Sequence, residues 1–186
     1  SFDSNVAMAE ASSNRATNSL TLGGGASLDA SGAVFNDQTN AAAATADATS
    51  DVRLRLDIAN GATAVLANST ASVDGNSTTA LARGNTATNV LNASAANVTS
   101  GAGTSVTTFA PAGPTETLSA SFGILNAQSN TAVVTAIVDS TQYGMALNAS
   151  GGATGAGVTN STLSVAGNTL SAQAMGNTGG SSLTLT

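Results

Sequence analysis

No cysteine, histidine, lysine or tryptophan occurs in these 186 residues. Without cysteine there is no disulfide framework and no thiolate metal site. Without histidine as well, the usual general bases, nucleophile partners and metal ligands are missing. The expectation is a protein that is not an enzyme, with no catalytic residue, no metal ligand and no cofactor. Ten carboxylates are present, Asp3, Glu10, Asp29, Asp37, Asp47, Asp51, Asp57, Asp74, Glu116 and Asp139. A close pair of them would permit polysaccharide cleavage, so a polysaccharide-active β-helix enzyme stays as a remote alternative. Aromatic residues are limited to Phe2, Phe35, Phe109, Phe122 and Tyr143. Positive charge is limited to Arg15, Arg53, Arg55 and Arg83, and the net charge is −6. With no basic stripe, nucleic acid is not an expected partner. No apolar run approaches the ~18 residues of a membrane-spanning helix, so no membrane span is expected. The chain starts at Ser1 without a signal peptide, and the expectation is a processed, mature, secreted chain.

What is present is Ala, Ser, Thr, Asn and Gly. A globular core of this length normally rests on large side chains, each giving roughly 1.5–3 kcal/mol on burial. Here the apolar share is mostly Ala and Val. Sheets must therefore pack closely around a thin interior. Disorder is disfavoured, because charge is sparse and β-branched residues are plentiful.

Internal similarity organises the chain. One unit carries paired Gly-Asn. Its clearest copy, NSTASVDGNSTTALARGNTATNVLNASA from Asn68, matches NSTLSVAGNTLSAQAMGNTGGSSLTLT from Asn160 at an offset of 92. The opening segment SFDSNVAMAEASSNRATNSLTL aligns with it at an offset of 71, so that Asn5 and Asn14 fall on Asn76 and Asn85. A second unit carries Asn-x-Gln-x-Asn. LDASGAVFNDQTNAAAATADA from Leu28 matches LSASFGILNAQSNTAVVTAIV from Leu118 at an offset of 90. The chain then reads as one repeat domain over 1–186. Gly-Asn units span 1–22, 68–97 and 160–186, and Asn-Gln-Asn units span 26–57 and 118–148. Residues 98–117 have no counterpart, contain Pro111 and Pro114, and read as an inserted loop or arm.

Alternation with a period of two is the strand signature. In the second unit Val34, Asn36, Gln38 and Asn40 share one parity, as do Ile124, Asn126, Gln128 and Asn130. That parity is the apolar one. The triplets Asn36, Gln38, Asn40 and Asn126, Gln128, Asn130 are therefore expected to face inward as hydrogen-bonded ladders. On the opposite parity Leu125, Val133 and Ile137 are apolar, which makes them candidate subunit contacts. Phe109, Leu183 and Leu185 join them. In the first unit the parity flips at Gly75-Asn76, Gly84-Asn85, Gly167-Asn168 and Gly176-Asn177. Gly and Asn tolerate positive φ, so these pairs are expected as corners between strands of about seven residues.

The fold class is all-β. A β-solenoid with a narrow Ala-rich core fits, with coils stacked ~4.8 Å apart and Asn ladders at the corners. An offset of 90–92 divides into about five coils of ~18 residues. The alternative is an antiparallel β-meander or sandwich with Gly-Asn hairpins. The small inward residues favour the solenoid, since a sandwich is ~10 Å thick and needs larger ones.

Other readings carry less. Asp47, Asp51 and Asp57 lack calcium-loop spacing. Asn68, Asn76, Asn92, Asn97, Asn148 and Asn160 match N-x-S/T, as chance allows in such a composition. Thr21, Thr86, Thr88, Thr184 and Thr186 form no repeated rank of the kind an ice-binding face uses.

The segments NSTASVDGNSTTALARGNTATNVL and SFGILNAQSNTAVVTAIV resemble repeats of secreted surface proteins of stalked and related alphaproteobacteria, in particular holdfast-anchoring proteins. There is a looser likeness to curlin, whose Ser/Gln/Asn repeats stack as an amyloid-like fibre. The resemblance implies export, cell-surface assembly and adhesion within a biofilm. Its further partners would be cell-surface polysaccharide or an outer-membrane anchor. The expected function is a structural subunit of an extracellular filament or adhesive layer, polymerising with copies of itself through open β edges. A monomeric stalk or passenger segment of a larger adhesin is the alternative.

Overall fold

A computed structural model describes residues 1–58, 65–100, 104–108, 116–149 and 157–186. Among these residues there is no helix, and hence none long and apolar enough to cross a membrane. The strands are β1 (Val6–Gly23), β2 (Leu28–Ala30), β3 (Gly32–Asn40), β4 (Ala44–Ala48), β5 (Asp51–Ile58), β6 (Val65–Ala67), β7 (Thr70–Ser72) and β8 (Ser77–Ser94). There follow β9 (Val98–Ser100), β10 (Thr104–Thr108), β11 (Glu116–Ala120), β12 (Phe122–Asn130), β13 (Val134–Val138) and β14 (Gln142–Ala149). The last three are β15 (Gly157–Thr159), β16 (Thr162–Ser164) and β17 (Thr169–Leu185).

Most strands pair with their repeat counterparts rather than with their neighbours in sequence. β8 lies between β1 and β17. β3 pairs with β12, β5 with β14, β6 with β15, β7 with β16 and β2 with β9, all parallel. β4 pairs with β13. β10 and β11 are antiparallel, joined from Thr104↔Ala120 to Thr108↔Glu116. Pairing of identical units in register follows from their composition. A buried Asn or Gln must find partners, and an identical amide one strand spacing away supplies both a donor and an acceptor.

The pairing revises three expectations. Among the described residues no strands 18 residues apart are hydrogen-bonded into a sheet; the paired copies are 70, 71, 90, 91 or 92 residues apart. The unmatched arm is shorter at its start than 98–117, because Val98–Ser100 pairs with Leu28–Ala30. Leu118 and Ala120 belong to the antiparallel pair of the arm, opposite Val106 and Thr104, rather than to the second Asn-Gln-Asn unit. The parallel register with the first copy begins at Phe122↔Gly32.

The chain divides into two compact units. One comprises residues 1–10, 45–81 and 136–173; the other comprises 11–44, 82–135 and 174–186. In the first, the buried apolar residues are Ala46, Ala48, Ala71, Val73 and Ala80. Thr78 is also buried, with its hydroxyl bonded to the Tyr143 hydroxyl. In the second, Val34, Leu91 and Ala93 form the cluster against which Leu20, Leu22, Leu28, Phe122 and Ile124 pack. Both interiors mix small apolar side chains with amides: Asn76 in the first and Asn85 and Asn89 in the second are fully buried.

Candidate assembly edges

The Gly-Asn pairs are of two kinds. Gly75 and Gly167 have φ of 66° and 65° and lie in the turns before β8 and β17. Glycine adopts that left-handed backbone at no steric cost; at the equivalent place in the first copy Ser4 takes it with φ of 58°. Gly84-Asn85 and Gly176-Asn177 are not corners: they lie inside the continuous strands β8 and β17. In β8 the alternation of buried residues breaks where Gly84 and Asn85 both face inward. β1 takes the same step at Ser13 and Asn14. Because both strands step at the same place, the offset of 71 persists through it, from Asn14–Asn85 to Asn18–Asn89.

Asparagine ladders follow. In the first unit Asn5 Nδ2 donates to Asn76 Oδ1 at 2.8 Å, and Asn76 Nδ2 donates to Asn168 Oδ1 at 2.8 Å. Backbone groups complete the set: Asn5 N–H donates to Asn76 Oδ1, and Asn76 Nδ2 also donates to Phe2 O. In the second unit Asn14 Nδ2 donates to Asn85 Oδ1, and Asn85 Nδ2 to Asn177 Oδ1, each at 2.9 Å. Asn85 Nδ2 also reaches Ser129 O at 2.7 Å. The Asn-Gln-Asn triplets are brought together in the same way. Asn36 Nδ2 donates to Asn126 Oδ1 and Asn40 Nδ2 to Asn130 Oδ1, both at 2.7 Å; Gln128 Nε2 donates to Gln38 Oε1 at 2.8 Å.

One ladder is broken. Asn18 Nδ2 donates to Asn89 Oδ1 at 2.8 Å, but Asn89 Nδ2 is buried with no partner. The position that continues the ladder on β17 is Ser181, whose hydroxyl is too short. A Ser181→Asn substitution is expected to give that N–H an acceptor and to raise stability by about 1 kcal/mol. Urea unfolding of the two chains checks it; an unchanged midpoint would mean that water serves the amide equally well.

At the first turn of the chain, Asp3 accepts from the Ser72 hydroxyl at 2.7 Å and the Asp74 N–H at 2.9 Å. These two donors, the Ser72 hydroxyl first, hold its carboxyl below the usual carboxylate range. Asp74 repeats the arrangement one copy later, accepting from Ser164 Oγ and Ala166 N. Such repetition reads as turn architecture. Among the described residues no three carboxylates gather into a cation site; Asp51 is engaged by Arg53 in an exposed ion pair.

The edges differ sharply from the centre. β8 alternates buried and half-buried side chains along most of its length. In β17 every residue except Met175 is exposed. Of the residues singled out as subunit contacts, Leu183 and Leu185 lie on this strand at 46% and 51% exposure. Val133 and Ile137 are exposed on the second Asn-Gln-Asn copy, whereas Leu125 is half-buried beside Phe35. Phe109 lies outside the described residues. Sequence reasoning passes over Phe2, Val6 and Met8 at the start of the chain and Leu163, Val165 and Leu170 near its end, all exposed. The signal is there to find: each belongs to an outermost Gly-Asn copy. Compared with known proteins, the chain matches no family model, no curated protein and no solved structure.

Proposed function

We propose that this chain is a structural, non-catalytic subunit of an extracellular bacterial filament or adhesive surface layer. In this reading it is wound as a β-solenoid, one turn taking 70 to 92 residues, and joins copies of itself head-to-tail through open strand edges. Support for the winding comes from parallel pairing of five strands with their counterparts a full repeat away. The observation that carries the assembly is β17, a strand of 17 residues at a sheet edge with nearly all side chains exposed. Unpaired edges of that length template another chain. Natural monomers blunt them with lysine or proline; this chain has no lysine, and β17 has no proline. Secretion, adhesion and the kinship with holdfast-anchoring proteins belong to the same proposal and rest on the repeat resemblance.

Negative-stain electron microscopy and fibre diffraction of the purified chain test it. Filaments with a meridional spacing near ~4.8 Å are the expected result. Uniformly monomeric particles across salt, pH and concentration would reject the reading.

A further inference from the structure

We propose that Asn68 and Asn160 are acceptors for an N-linked glycan, set in two stacked turns at one corner of the fold.

The motif N-x-S/T marks such acceptors, and the sequence holds it at six asparagines. Transfer needs an amide nitrogen that an enzyme can reach. Two residues on, it needs a hydroxyl free to bond to that enzyme. The structure sorts the six on both counts. Asn76 is fully buried, and its Nδ2 donates to Phe2 O and Asn168 Oδ1. The hydroxyl of Thr78 is engaged by Tyr143. Asn92 is half-buried on β8, a strand with a neighbour on either side. Asn97 is exposed, but Thr99 donates its hydroxyl to Leu28 O. The side chain of Asn148 lies outside the described residues.

Asn68 and Asn160 meet both conditions. Asn68 and Ser69 form the turn between β6 and β7, and Asn160 and Ser161 form the turn between β15 and β16. Both asparagines are exposed, as are Thr70 and Thr162. None of these four side chains makes a hydrogen bond among the described residues. The intervening serines close the turns instead. Ser69 Oγ donates to Ala67 O at 2.9 Å. Ser161 Oγ donates to Thr159 O at 3.0 Å and accepts from the Ser69 N–H at 3.1 Å. A glycan on either asparagine therefore costs the fold no hydrogen bond.

Backbone geometry accounts for the asparagines only in part. Asn68 and Asn160 have φ of 53° and 48°, a region that asparagine tolerates. Ser4 and Ser140 take it too, at 58° and 51°, so a left-handed turn in this chain does not demand asparagine. Nor does it demand a hydroxyl two residues later. Both copies nonetheless keep the whole Asn-Ser-Thr. The sites are in register within one compact unit: the Asn68 N–H donates to Thr159 O, and Thr70 pairs with Thr162. They stand about one strand spacing apart, ~4.8 Å, where bulky, hydrated sugar extends into solvent.

The reaction joins Asn Nδ2 to the anomeric carbon of a sugar held as a diphosphate ester. The bond from that carbon to the phosphate oxygen breaks, and the diphosphate leaves with the electron pair. The amide proton passes to a base of the transferase.

Peptide mapping by mass spectrometry of the full chain from its natural source tests the assignment. Sugar is expected on the Asn68 and Asn160 peptides, with Asn76, Asn92 and Asn97 bare. Bare Asn68 and Asn160, or sugar on any of the other three, overturns it. A second measurement presents the purified, folded chain to an N-glycosyltransferase with a labelled donor, either a lipid-diphosphate sugar or a nucleotide-diphosphate sugar. Uptake from one donor names the source, and uptake from neither overturns the proposal. Thr70→Val and Thr162→Val keep the branched shape and remove the hydroxyl. Each is expected to cut label at its own asparagine to less than about a tenth and to leave the other site unchanged. Undiminished label in the double variant, with β-sheet circular dichroism retained, counts against the assignment. Polymerisation of a chain that carries no sugar would overturn this inference alone and leave the assembly reading standing.

Discussion

A Gly84→Ala chain is expected to lose at least about 3 kcal/mol of stability, among the largest effects that one added methyl group can produce here. The residue sits in the inward step of β8. An added Cβ would strike the Gly176 carbonyl oxygen of the neighbouring strand and would stand 2.9 Å from Asn130 Oδ1. The first obstacle is backbone, which cannot swing aside. The repeat-equivalent Gly176 is the internal control. Its added Cβ would find only Asn130 Nδ2, at 3.5 Å, an ordinary contact, so Gly176→Ala should cost less than about 0.5 kcal/mol. Thermal unfolding resolves the pair, since ~3 kcal/mol corresponds to roughly 6–12 °C in a chain of this size. Equal shifts in the two variants would contradict the packing described at Gly84.

Asn85→Asp changes no shape and should be worse still at neutral pH. Asn85 is fully buried, and its NH2 donates to Ser129 O and Asn177 Oδ1. A carboxylate there would set a negative charge against two acceptors that have lost their donor. The expected cost is about 4 kcal/mol at pH 7. Burial and the two acceptors would lift the folded-state pKa of the new carboxyl well above its unfolded value near ~4. The penalty is therefore complete above the raised folded value and shrinks as pH falls through it toward the unfolded one, where the protonated acid donates one bond. Urea midpoints of variant and parent at pH 7 and near pH 4 measure the difference. A penalty equal at both would mean that lost packing, not charge, is responsible.

Much of this architecture is legible before any coordinate is seen. The offsets of 71, 90 and 92 recur as the amide ladders, although β5 pairs with β14 at 91 and β2 with β9 at 70. The parity of Asn36, Gln38 and Asn40 places them inside, because a β-strand side chain has only two directions to point. What the alternation does not carry is the meaning of a parity flip. At Gly75 the flip is a turn with positive φ; at Gly84 it is a step inside an extended strand. Both put two consecutive residues on one side, and only the neighbouring layers separate them. Leu118 departs from its expected place for a related reason. LSAS continues the similarity to LDAS, but β10 (Thr104–Thr108) is nearer in sequence and captures it, with Val106 opposite Leu118. Short local pairings close with less loss of chain entropy than distant ones. The 18-residue coil fails because a bare divisor says nothing about which copy lies above which; identical buried amides do.

The interior built of methyl groups and amides also sets how this chain responds to temperature. Exposing apolar surface raises the heat capacity of unfolding and exposing polar surface lowers it. With Asn76, Asn85 and Asn89 sharing the interior with alanines, the two contributions offset each other more than in an oily protein, and the increment falls below the usual ~12–15 cal/mol/K per residue. The curve of stability against temperature is then shallow and broad, and cooling costs the fold little. A fold of this kind keeps its stability in the cold as well as in the warm, without being more stable at its optimum.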